Sequence, residues 1–345
     1  FRFGGSFHRA TQVSEIAPSG QRRRRRRHDP NAVVPEAEFT SYYGRPIVKA
    51  SPWTLDIPAY FFLGGMAAGS SVMAAGASVT GRPRLRRIAR VGAFGGILGS
   101  TYALIHDLGR PERFYMMLRV AKVTSPMSMG TWLISAYGPA VGAAAIGEFA
   151  HLLPLPAPVS KLLGAVAGPA GFAAAALAPG MATYTAVLIA DTATPAWKEA
   201  GGAITTAFAA GALVSGAGIG LMAPLDESGP ARRLALLAAP GELLAVMRMH
   251  KEAGLAGETF TTGTAGKLAK VAEALLIGGG VLAAVTRRSR IGSAVAGVSL
   301  LAGACVERFA VFEAGQASAR DPKYTVVPQR QRLEPRKAAS ADVCV

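Results

Sequence analysis

Apolar residues in this chain gather into long blocks, near 59–80, 88–106, 128–150, 162–190, 201–223, 232–249, 268–286 and 291–313. Each block approaches the ~20 residues that a helix needs to cross a bilayer, so the pattern predicts eight membrane spans. Gly and Ala are dense within them, as in AAGSSVMAAGAS (67–78) and AAGALVSGAGIG (209–220). Small residues at helical spacing let helix backbones approach closely in lipid, where the hydrophobic effect does not hold helix to helix. Pro240 and Glu242 interrupt the sixth block and predict a broken or tilted helix there.

Composition agrees with the pattern. Half of the 345 residues are hydrophobic and 17% are charged, against the roughly 25% of an ordinary soluble domain. The predicted fold is therefore an all-α integral membrane protein of eight transmembrane helices in two four-helix bundles. Residues 1–50 form an extended basic N-terminal arm, 51–198 the first bundle, 199–315 the second, and 316–345 a C-terminal tail. The net charge of +16 is concentrated in the arm, which holds RRRRRR at 22–27, in the short loops and in the tail. An arginine run beside a membrane domain points to lipid headgroups or an acidic partner rather than nucleic acid.

An even span count puts both termini on one side, termed face A. Trp53, Trp132 and Trp197 fall at its boundary and predict an aromatic belt. Asp56, His106, Asp107, Tyr184, Asp191, Glu273 and Glu307 fall in its half of the bilayer. Short loops of the opposite face B are richer in Lys and Arg, which predicts an extracytoplasmic face A in a bacterial inner membrane.

Charged groups at membrane depth are costly and tend to be functional. Asp191 and Glu148, at span ends, are equally well explained as headgroup-layer residues. The stretch HDLGRPERF (106–114) is different. Gly109, Pro111 and the arginines account for a helix stop with side chains reaching phosphate, but not for His106 beside Asp107. A carboxylate next to an imidazole favours a proton exchanged near neutral pH. Haem is a poor fit: only His106 and His250 share a depth, and both lie at span edges. Cys305 and Cys344 are too few for an iron–sulphur cluster, which takes four thiolates.

The first four spans bring Asp56, Tyr60, His106, Asp107, Trp132 and Tyr184 to face A around an apolar cleft, which suits a quinone ring and its proton exchange. The last three spans carry Glu242, Glu273, Glu307 and Arg308. Consecutive Glu307 and Arg308 should need separate partners, either in salt bridges across helices or in a proton path.

Four strings in order, PWTLDIPAYFFLGGMAAGS (52–70), HDLGRPERF, SPMSMGTWLISAYG (125–138) and YTAVLIADTATPAW (184–197), resemble the NrfD family, the membrane subunit of polysulphide-reductase-like complexes. The resemblance spans roughly 50–320 and is strongest in the first four spans. It implies a quinone-interacting subunit of a larger oxidoreductase, with no redox centre or activity of its own. Partners would be a four-cluster ferredoxin-like iron–sulphur subunit docked on face A, a molybdopterin catalytic subunit and membrane lipids. Carried over, Tyr184 hydrogen-bonds the quinone oxygen and His106 with Asp107 handles its proton. Asp56 helps to form the pocket; Tyr60 and Trp132 join it on the reading of the face A residues alone. Ala186 replaces the glycine of the usual YTG. The Ala, Gly and Arg richness suggests a GC-rich genome and hence menaquinone. A passive anchor and an ion or solute transporter remain the alternatives.

Overall fold

The computed structural model describes residues 46–342, with side chains placed through residue 333. The chain is all-helical over these residues: α1 (Asp56–Val79), α2 (Pro83–His106), α3 (Pro126–Glu148), α4 (Ala157–Ala190), α5 (Pro195–Glu199), α6 (Gly201–Gly220), α7 (Gly229–Glu252), α8 (Glu258–Thr261), α9 (Gly263–Val285), α10 (Arg290–Arg320) and α11 (Lys323–Asp342). The eight apolar blocks are α1–α4, α6, α7, α9 and α10. Six of them, α1, α2, α4, α6, α9 and α10, are long and apolar enough to cross a membrane. The other two, α3 and α7, match them in length, with 23 and 24 residues. They are diluted by Ser, Thr and Tyr in α3 and by charged residues in α7.

Local chemistry sets the ends. The Ser125 hydroxyl accepts from Ser128 N–H and Pro126 opens α3. Ser289 caps α10 by accepting from Gly292 N–H at 3.0 Å. Gly81, at a φ of 66°, makes the left-handed turn between α1 and α2. Pro240 does not break its helix: α7 runs unbroken from Gly229 to Glu252. Neighbouring helices shelter the backbone that a proline frees.

Side-chain bonds gather the helix ends into two sets. At one end Arg84 on α2 meets Asp226 and Glu227 of the α6–α7 loop, and Arg86, Arg87 and Arg90 meet Glu148 at the end of α3. This is face B. At the other end Asp56 meets His106, Gln316 donates to Ser51 O, and Lys323 reaches Glu258. This is face A. In between, α1 and α6 cross so closely that a Cβ on Gly69 would run into the Ala212 carbonyl. The two predicted bundles are therefore joined through α1, α4, α6 and α10.

Three expectations change. Trp197 is no belt residue: it is fully buried, stacks on Trp53 with centroids 5.9 Å apart, and donates from Nε1 to Val311 O at 2.8 Å. A tryptophan near a helix end serves an interhelical core as readily as a lipid interface, and position alone does not separate the two. Glu148, at its span end, is not an open surface acid: its side chain is 4% exposed and paired with three arginines. The chain past 316 is not a plain tail, because α10 continues to Arg320 and α11 follows. The N-terminal arm lies almost wholly outside the described residues, as do His8, His28 and Cys344.

Candidate functional site

HDLGRPERF ends one element and starts another. His106 closes α2, Asp107 is its C-cap, and Pro111 opens a 3-10 helix, Pro111–Leu118. Because the backbone turns between them, His106 and Asp107 point to different partners. His106 Nδ1 lies 2.8 Å from Asp56 Oδ2, across from α2 to α1. Asp107 Oδ1 instead accepts from Thr54 N–H at 2.9 Å and from Thr54 Oγ1 at 2.7 Å. The expected His106–Asp107 pair is thus replaced by His106–Asp56, with Thr54 between the two acids. Thr54 Oγ1 lies 3.0 Å from Asp56 Oδ2, and its single hydrogen serves one carboxylate at a time.

These contacts string His106, Asp56, Thr54 and Asp107 into one line. Its outer end is open, the His106 side chain being 61% exposed, with Tyr102 stacked on the imidazole at 5.7 Å. Its inner end reaches a cavity of about 140 Å³ between α1, α3 and α4, where Asp107 forms part of the wall. The volume is that of a site for a single ring, since a cavity of roughly 150 Å³ holds benzene.

The cavity wall is mainly apolar, with Trp53, Ile57, Leu104, Met117 and Leu188 among its groups. Its polar atoms are few and convergent. Tyr60 and Tyr184 both line it, their hydroxyls bonded to each other and their rings edge-to-face with centroids 6.2 Å apart. One phenol must donate to the other, so one O–H hydrogen of the pair remains for a third oxygen. Gly130, from SPMSMG, makes room for this: a Cβ there would sit 2.7 Å from Cδ2 and Cε2 of Tyr184. Trp132 is not brought to the cavity. It is 44% exposed and turns Nε1 towards Val120 O at 3.4 Å. Sequence reading missed Thr54, Trp53, Met117 and Gly130, although three of the four lie within the quoted strings.

Residues 47–253, more than half of the chain, match the family described as NrfD, polysulphide reductase. The chain belongs to the NrfD family. It is thus a multi-pass membrane subunit of polysulphide-reductase-type oxidoreductases. The comparison with curated proteins finds no match. The NrfD match takes in α1–α7 and every residue of the line and cavity just described. It stops before α9 and α10, short of the 320 expected from the resemblance.

In this NrfD chain the second polar set forms its own cluster. Arg308 of α10 pairs with its neighbour Glu307 and lies 3.7 Å from Glu242 of α7. It also donates to Phe208 O at 3.1 Å and covers the Phe208 ring at 4.1 Å. The expectation that Glu307 and Arg308 need separate partners fails, because long side chains from consecutive positions can bend back to meet. Glu273 and His250 do not join that pair. They line a separate cavity of about 350 Å³ between α7, α9 and α10, whose wall includes Glu307. Among the described residues no group of three or more His, Cys, Asp or Glu side chains could hold a metal ion.

Proposed function

We propose that this NrfD subunit passes electrons between a partner's iron–sulphur clusters and the membrane quinone pool. The reading includes eight membrane spans, α3 and α7 among them, since both match their neighbours in length and end at the same two faces. The ring-sized cavity fits a quinone headgroup in three respects: mainly apolar walls, a phenol hydrogen to donate, and an acid on the wall.

A bound quinone would supply the redox chemistry, two electrons with two protons. The chain's own groups do the rest. Tyr184, with Tyr60 behind it, donates a hydrogen bond to one ligand oxygen. Asp107 holds or releases a proton at the cavity wall, and Thr54 Oγ1 passes it to Asp56 Oδ2. His106, open to face A, exchanges it with water. Each separation along this line is at most 3.0 Å, within reach for proton transfer. The partners would be a four-cluster ferredoxin-like subunit and a molybdopterin subunit docked on face A, which this reading takes as extracytoplasmic.

The observation carrying the reading is the unbroken polar line from exposed His106 to a cavity holding Tyr184. Its test is His106→Ala in the purified complex. Quinone-linked turnover should fall by about 10²-fold, the scale of one general acid–base group, while reduction or oxidation of an artificial carrier by the partner subunits stays unchanged. Normal quinone turnover in that variant would remove His106 from the proton route.

A further inference from the structure

Face B carries a charge arrangement that the quinone chemistry does not use. Arg86, Arg87 and Arg90, all on α2, converge on the one carboxylate of Glu148. Arg86 binds it in two places, Nε to Oε2 at 2.8 Å and Nη2 to Oε1 at 2.9 Å. Arg87 Nε reaches Oε1 at 3.2 Å and Arg90 Nη1 reaches Oε2 at 2.7 Å. Three positive groups meet one carboxylate, so positive charge is in excess around it among the described residues.

Arg90 is buried, its side chain 7% exposed. It donates to the carbonyls of Ala144 and Ala167 at 3.1 and 2.8 Å, yet its Nε has no partner among the described residues. Arg87 donates through Nε alone and leaves the rest of its guanidinium in the open. Around these groups, between α2, α3 and α4, lies a groove of about 340 Å³ whose wall also includes His151. Among the described residues no carboxylate other than Glu148 lines it.

The groove continues onto α4. Gly164 and Gly168 line it and would allow a Cβ into open space, so they leave a side-chain-free trough. One turn beyond Gly168 on the same side of α4, Phe172 is an exposed apolar side chain. Excess guanidinium charge at a helix-end groove, with an apolar flank leading away from it, matches an amphiphile with an anionic head. The guanidinium of Arg87, held by Glu148 at Nε only, leaves donors that would suit the oxygens of a phosphate diester.

We propose that this groove binds the phosphate headgroup of an anionic phospholipid, with its acyl chains along α4. The site lies at the opposite end of the helices from the quinone cavity and is independent of it. A bound lipid there would tie α2, α3 and α4 together.

The experiment is native mass spectrometry of the delipidated full chain titrated with phosphatidylglycerol, phosphatidylcholine or inorganic phosphate. The unaltered chain should retain phosphatidylglycerol well above phosphatidylcholine, with no comparable retention of inorganic phosphate. Arg87→Ala should weaken phosphatidylglycerol by about fivefold, the value of one arginine near a membrane surface, and leave phosphatidylcholine unchanged. Arg87→Lys should recover most of the loss. Equal retention of the two lipids, no effect of Arg87→Ala, or phosphate binding as tightly as the lipid would each overturn the proposal. A photoactivatable phosphatidylglycerol keeps the question open to refutation even if the variants fold poorly. In the unaltered chain it should attach within 147–168, and attachment only elsewhere would refute the site.

Discussion

Thr54 gives the acidic residues around it their arrangement. Its amide and hydroxyl both turn to Asp107, and the same hydroxyl lies within reach of Asp56. The types of residue at this site were legible in the strings PWTLD, HDLGRP and YT, because a membrane segment rarely tolerates such groups without use. The pairings were not. Adjacency in HD suggested a pair, but helix geometry sends neighbouring side chains apart at a helix end, and Asp56 comes from another helix. A hydroxyl that bridges two acids carries no pattern of its own in sequence. If it relays protons, Thr54→Val should cut quinone-linked turnover by about tenfold or more and Thr54→Ser should restore it. Turnover equal to wild type in Thr54→Val would leave the threonine a purely structural bridge. Gly130→Ala tests the other wall. The added methyl meets the Tyr184 ring, so quinone affinity should fall in titrations of the purified complex, with the helical content unchanged in circular dichroism.

Helices were legible where the apolar blocks were, and all eight blocks became single helices. The pattern spoke less well for what lies between and beside them. Burial of Trp197, the reach of α10 past the last apolar residue and the Arg308 cluster each depend on facing helices that a single segment does not reveal. Arg308 is the strongest case. Its guanidinium is 2% exposed beside Glu242 and Glu307, so its loss would leave two buried carboxylates without a counter-charge. Arg308→Met should destabilise the protein by about 3–5 kcal/mol, read as earlier thermal unfolding in detergent. A change below about 1 kcal/mol would mean that water reaches the acids. At face B, Glu227 holds the first turn of α2 by accepting from Arg84 N–H at 2.7 Å and Leu85 N–H at 2.9 Å. Burial pushes its pKa up, but the Leu85 N–H, the Arg84 guanidinium and the Arg84 N–H outweigh that and hold it below the ordinary 4.5. The sign follows from a depressed folded value: the contribution is complete above pH ~4.5 and fades as pH falls through the folded pKa. Glu227→Gln should therefore flatten the acid side of the stability curve, measured by thermal unfolding against pH. An unaltered acid limb would place the acid sensitivity elsewhere.

On the scale of the whole molecule, the two ends of the helix array differ in chemistry. Face B joins its loops by arginine–carboxylate contacts, whereas face A carries the titratable line, the cavity and a partly apolar rim. That rim is the 3-10 helix Pro111–Leu118. Met117 turns inward to the cavity wall, while Phe114, Tyr115 and Met116 are exposed. One short segment thus lines the cavity and offers aromatic surface outward. Aromatic side chains of this kind anchor protein interfaces, and an anchor residue is commonly worth 2 kcal/mol or more, about 30-fold in affinity. If an iron–sulphur subunit docks here, its clusters come to lie against the segment that lines the cavity. Tyr115→Ala should then loosen the complex by about that factor, seen as loss of the partner subunits on dilution during size exclusion. Quinone-linked turnover should fall in step with the subunits lost, and recover when excess partner is added. Full retention of the partners in both Tyr115→Ala and Phe114→Ala would move the docking surface away from this segment and separate electron entry from the tyrosine pair.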